Sequence, residues 1–112
     1  MRDLPVDNEI YSLNYTQAAR EDMLEILMYI SEELDAQQSA ERILDRLESD
    51  LGRLRENPYI AAVARDDYLA TQGFRVLVSG KYLALHKVDD ITREVIVYRV
   101  VYGKRNLEWL YP

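Results

Sequence analysis

This 112-residue chain has no cysteine. That removes disulfides, thiolate nucleophiles and thiolate metal sites. It has one histidine, so two imidazoles cannot share a metal and no HExxH pattern exists. Its four glycines form neither a phosphate-cradling loop nor a nucleophile elbow. No apolar run approaches the ~20 residues needed to cross a bilayer. The opening "MRDLPVDNEI" carries acids and no apolar stretch, so it does not read as a signal peptide. Internal repeats and low-complexity segments are missing too. These absences point to a single cytoplasmic domain, with residues 1–9 as an N-terminal extension, working without membrane, metal or cofactor.

What remains is rich in hydrophobic residues, at 48%, with a net charge of −6. The charge is unevenly spread. Residues 1–70 hold seven arginines against 16 acids, a balance of −9; residues 71–112 hold seven cations against four acids, a balance of +3. Screening limits exposed charges to roughly 8–10 Å of reach, so a local basic region can still attract phosphate on an acidic protein.

"IYSLNYT" (10–16) alternates as a strand does. Thr16 is placed to cap a helix over 17–34 whose apolar face is Ala19, Met23, Ile26, Leu27, Ile30 and Leu34. Asp35 is a second N-cap, with Gln38 completing a capping-box variant. Ala40, Ile43, Leu44, Leu47, Leu51 and Leu54 form the next stripe, which Asn57-Pro58 ends. Residues 58–73 have no sustained period and read as a loop carrying a short strand or turn. "FRVLVS" (74–79), "YLALHKVD" (82–89) and "EVIVYRVVY" (94–102) then form an antiparallel meander. The expected fold is α+β: an N-terminal strand and a two-helix antiparallel hairpin on one face of a twisted, mainly antiparallel sheet, in the order β-α-α-β-β-β.

The face away from the helices is expected to carry Arg75, His86 and Arg99, one on each strand of the meander. Gly103 turns the chain, and Lys104, Arg105 and Tyr111 follow, with Leu107, Trp109 and Leu110 anchoring the tail. Metal-free RNA cleavage needs a base for the 2′-OH, cations for the phosphate and an acid for the leaving oxygen. Arginine supplies a donor fork for phosphate. A tyrosine beside guanidinium groups ionises more readily. Histidine titrates near neutrality. Arg75, Arg105, Tyr111 and His86 are therefore the candidate catalytic residues, and Lys104, Arg99 and Lys81 the candidate RNA-phosphate contacts. Each has an ordinary structural alternative: a strand arginine paired with a helix carboxylate, a half-buried histidine, a solvated lysine. Asp66-Asp67 and Asp89-Asp90 read as turn chemistry.

The chain resembles the RelE/ParE superfamily of toxins from bacterial type II toxin–antitoxin modules, over about residues 10–111. The resemblance lies in "TQAAREDMLEILMYI", in Asn57-Pro58, in "FRVLVSGKYLALHKVDD" and in "VYRVVYGKRNLEWLY". Within the first, Ala18, Asp22, Glu25-Ile26 and Tyr29-Ile30 resemble the first helix of ParE-like members. RelE-like members cleave mRNA on the ribosome without a metal; Arg75, Arg105 and Tyr111 match their basic and tyrosine positions. Leu77 and Leu83 stand where those ribonucleases can carry further cations. ParE-like members instead inhibit DNA gyrase by binding. Both branches imply a cognate antitoxin that covers the helical hairpin and carries the operator-DNA contact. The tail tips the expectation toward a ribosome-dependent mRNA endonuclease, with gyrase inhibition or a non-toxic antitoxin-binding role as alternatives.

Overall fold

Thr16 starts the helical layer by making three hydrogen bonds at once. Its hydroxyl accepts from the Ala19 amide at 3.1 Å and donates to the Tyr98 carbonyl at 2.9 Å. Its own amide donates to the Val97 carbonyl at 3.0 Å. One residue therefore caps a helix and ties its start to a strand more than 80 positions away. The structure is a computed structural model, and it describes residues 10–33 and 37–103. Asp35, expected as the second N-cap, lies outside these residues.

The described elements are β1 (Ser12–Tyr15), α1 (Gln17–Met28), a π-helical turn (Tyr29–Glu33), α2 (Gln37–Gly52) and a 3₁₀ turn (Arg53–Arg55). They are followed by β2 (Ala62–Val63), α3 (Asp67–Thr71), β3 (Arg75–Ser79), β4 (Tyr82–Asp89) and β5 (Glu94–Tyr102). The sheet order is β1-β5-β4-β3-β2, antiparallel throughout except for the parallel pair β1 and β5. The expected α+β architecture is present. Two short elements add to it. Residues 58–73 contain β2 and α3, the latter capped by Asp66, whose carboxylate accepts from the Leu69 amide at 2.9 Å. A period-based reading cannot resolve elements of two and five residues.

The main core joins the helix layer to the sheet. Leu47, Leu51 and Leu54 meet Leu77, Ala84, Val95, Val97 and Val100, with Ala19 from α1. All of α2's contribution comes from the stripe legible in sequence. The opposite sheet face is covered as well, which the sequence reading did not anticipate. Val76, Leu83, Leu85 and Val101 are buried there with Ala64, and Leu69 and Phe74 pack against them. The 64–74 segment thus lies over part of the face that had been expected to meet water.

The turns follow local chemistry. Asp89 accepts from the Ile91 and Thr92 amides, an Asx turn between β4 and β5. Gly80 takes a φ of 59° between β3 and β4, a conformation costly to a side chain. Gly103 serves differently from a left-handed turn: a Cβ there would sit 3.0 Å from Leu83 Cγ, so it supplies space for a buried leucine.

Truncating the fully buried Leu47 to alanine is expected to cost about 3 kcal/mol. Ile91, 95% exposed, should tolerate serine within about 0.5 kcal/mol. Urea midpoints of the two variants check both statements.

Candidate functional site

Pairing along β4 and β5 is regular until Leu85↔Arg99 is followed by His86↔Val97. Tyr98 is the extra residue, a β-bulge. Just beyond it, two successive residues of β5 meet Asp22 of α1. Arg99 gives Asp22 two charge-assisted bonds, Nε at 2.7 Å and Nη2 at 2.9 Å. The Val100 amide adds a third at 2.9 Å. The Asp22 side chain is only 12% exposed. The carboxylate raises the Arg99 pKa further above its ordinary value. Arg99 was expected on the open face as a phosphate contact. On the strand it stands opposite Leu85, but its guanidinium is spent on α1, in a bidentate pair that fixes the helix to the sheet.

His86 also departs from its expected place. Cross-strand partners share a face, and His86 lies opposite Arg75 on β3 and Val97 on β5, on the side of Leu77 and Ala84. It is 0% exposed. Its Nδ1 donates to the Ala84 carbonyl at 3.0 Å, which assigns the proton to Nδ1 because a carbonyl only accepts. Nε2 has no partner. Burial, aided by the Arg75 charge and opposed by the Ala84 bond, pushes its pKa below the usual imidazole value. A ring sealed in this way cannot meet a substrate hydroxyl, which corrects its assignment as a catalytic acid or base.

Arg75 remains nearer the surface. Its Nη1 donates to the Ala61 carbonyl at 2.5 Å, and its guanidinium lies 4.8 Å from the Tyr59 ring centroid. It therefore clasps the loop after α2, with part of its donor fork unspent. Lys81, in the β3–β4 turn, lies in the wall of a groove described below. Lys104, Arg105 and Tyr111 fall outside the described residues.

Sequence reasoning missed a second cluster. Asp90 accepts from both Tyr11 at 2.7 Å and Tyr59 at 2.5 Å, one phenol on each oxygen. The carboxylate pushes the Tyr59 pKa up to about 12 and raises that of Tyr11. The two phenols, Tyr59 foremost, hold Asp90 below the usual carboxylate range. This clamp ties the β4–β5 turn to β1 and to the loop after α2. Its members are 79 and 31 positions apart, so no local pattern announces it. On the sheet's other face, Lys87 Nζ lies 4.6 Å from the Phe74 ring and 5.5 Å from the Tyr98 ring.

A groove of about 890 Å³ opens between the helical hairpin and the far end of the meander. Ile26, Ile30, Ile43 and Val100 contribute apolar lining, and Tyr29, Tyr82 and Tyr102 add phenol rings. Asp22 and Glu25 line it from α1, and Arg46 and Lys81 from α2 and the turn. The π-helical turn carries the half-exposed Tyr29 into this groove while Ile30 stays buried. Such turns recur at functional sites.

The family described as ParE toxin of type II toxin-antitoxin system, parDE, matches residues 13–107. No curated protein sequence matches the chain. The solved structures that share its fold include two toxin–antitoxin systems. One is the chromosomal ParDE system from P. aeruginosa, with a TM-score of 0.68 and 18% identity, over 84% of this chain and 97% of that one. The other is the toxin–antitoxin complex RelBE2 from Mycobacterium tuberculosis, with a TM-score of 0.58 and 23% identity, over 83% and 91%.

Replacing Asp22 with alanine strands the Arg99 guanidinium and the Val100 amide together. The expected loss is about 2–3 kcal/mol, with Arg99→Ala costing a similar amount, and a double mutant losing clearly less than the sum. Chemical denaturation of the three variants measures this.

Proposed function

The chain belongs to the ParE toxin family of type II toxin–antitoxin systems, and from that premise we propose that it acts by binding, with DNA gyrase as its target. The carrying observation is the withdrawal of His86 and Arg99 into the framework of the fold. A binding toxin needs a shaped surface and no acid–base pair, so structural duty for these residues costs it nothing. Leu77 and Leu83, at positions where the resembling ribonucleases can carry cations, are buried here in the two cores.

A cognate antitoxin is the partner the family implies, and the groove is the surface we assign to it. An amphipathic helix placing apolar side chains against Ile26, Ile43 and Tyr82 would bury them in the manner of helix-in-groove recognition. Its charged flanks would meet Glu25 on one side and Arg46 and Lys81 on the other. Tyr29, 52% exposed, can be shortened at little cost to folding. Tyr29→Ala is expected to weaken antitoxin binding about tenfold or more with the denaturation midpoint unchanged; titration calorimetry on the purified pair reads it.

The ribonuclease reading keeps Arg75, whose fork is only partly used, together with Arg105, Tyr111, Lys104 and Lys81. The two readings part cleanly. Induced without its antitoxin, a gyrase inhibitor should stop DNA synthesis before protein synthesis falls. Purified, it should block supercoiling by gyrase. Arg105→Ala and Tyr111→Phe should then retain toxicity. If the chain cuts ribosome-bound mRNA, translation collapses first, and either substitution lowers cleavage on the order of 100-fold.

A further inference from the structure

The outward side of α1 carries a row of residues that the groove does not use. Arg20, Leu24, Met28 and Glu32 follow one another at four-residue spacing. All four are exposed, Leu24 at 54% and Met28 at 45%. Residues four apart are neighbours on a helix surface and form one of its ridges. In an α-helix each lies about 40° past the one before. The π-helical turn over Tyr29–Glu33 winds more slowly, which brings Glu32 back into line with Met28. The groove takes Asp22, Glu25, Ile26, Tyr29 and Ile30 from the same stretch of chain, so the row is a separate surface.

The order along the row is cation, apolar, apolar, anion. It runs against the field of its own helix. Arg20 stands in the first turn, which holds no acid, and Glu32 stands at the far end, which holds no base. The backbone dipole favours the opposite placement. Among the described residues, no ion pair or side-chain hydrogen bond engages either charge. A surface of this order is its own complement. When a second copy is turned end for end about a two-fold axis, Leu24 meets Met28 and Arg20 meets Glu32, each twice. Parallel pairing would instead set Arg20 against Arg20 and Glu32 against Glu32. Antiparallel pairing also opposes the two helix dipoles.

We propose that this row is a contact between two copies of the chain: α1 pairs antiparallel with α1 through Leu24 and Met28, with an Arg20–Glu32 bridge at each end. The contact is small. A single helix ridge buries less than the ~1,200 Å² at the lower end of standard interfaces, so the dissociation constant is on the order of 10–100 μM. The four residues belong to neither core cluster, so exchanging them leaves the packing of the monomer in place.

The test is sedimentation equilibrium of the whole chain from about 5 to about 500 μM. Salt at about 0.15 M screens the −6 charge of each copy beyond ~8 Å. The wild type should pass from monomer to dimer over this range. Leu24→Glu, Arg20→Glu and Glu32→Arg should each lower the association constant about tenfold or more. The last two, mixed in equal amounts, should associate again, because each then offers the charge the other lacks. The doubly exchanged chain, Arg20→Glu with Glu32→Arg, should dimerise alone, a readout that survives if a single variant folds poorly. Monomer at every concentration, a dimer indifferent to the exchanges, or association restored by neither the mixture nor the double exchange would each overturn the proposal. A monomeric wild type whose Leu24→Glu variant binds the purified cognate antitoxin about tenfold more weakly would also overturn it and assign the row to that partner.

Discussion

Asp22 holds this fold together from the middle of its first helix. One carboxylate on α1 takes two bonds from Arg99 and one from the Val100 amide. Hydrogen bonds to an ionised group outweigh neutral ones, and all three come from successive residues of one strand. The pair therefore fixes both the position and the rotation of α1 over β5. Thr16 fixes the start of the same helix through the carbonyl of Tyr98. With its start and its middle set, the hairpin has one place to lie, and the groove between it and the β3–β4 turn is a consequence. Asp22 and Arg99 are themselves in its wall.

Arg99 was misjudged through its reach rather than through its place on the strand. Alternation along "EVIVYRVVY" assigns each residue to a face only while the period stays at two. The extra residue at Tyr98 resets the count and sets Arg99 opposite Leu85, but its long side chain carries the guanidinium to Asp22 on α1. His86 was misplaced for a different reason. The meander was assumed to bury one face, so a polar residue in it was assigned to the other. The structure instead buries both faces in part, one under α1 and α2 and one under the 64–74 segment. What was legible rested on local rules: the Thr16 cap, the apolar stripe of α2, the three long strands and the Asp89 turn. What was not legible depends on contacts across many tens of residues, such as the Asp90 clamp. Sequence pattern holds no record of these until the topology is known.

The uneven charge along the chain also takes on a different meaning. A basic last third suggested a phosphate-binding surface. Among the described residues, four of its five cations are engaged with the rest of the molecule: Arg99 with Asp22, Arg75 with Ala61 and Tyr59, Arg93 over Tyr11, Lys87 over Phe74 and Tyr98. One of these, the Arg99–Asp22 pair, joins the acidic helical half to the basic sheet half at their seam. Attraction between them orders the layers, and the engaged cations have less to offer an external polyanion than their number implies.

This seam bears on how such a chain could act. Catalysis demands groups held within a fraction of an ångström yet free to exchange protons with a substrate. His86 and Arg99 meet the first demand and fail the second, because what fixes them also occupies or seals them. Binding makes the opposite demand. It needs a rigid outline with apolar side chains left outside the core, and the hairpin supplies this with Leu24, Met28 and Tyr29, all about half exposed. The interactions that remove these strand residues from chemistry are the same ones that hold the hairpin still. A fold arranged in this way favours recognition by shape over turnover, and that physical trade is what supports the proposal that the chain acts by binding.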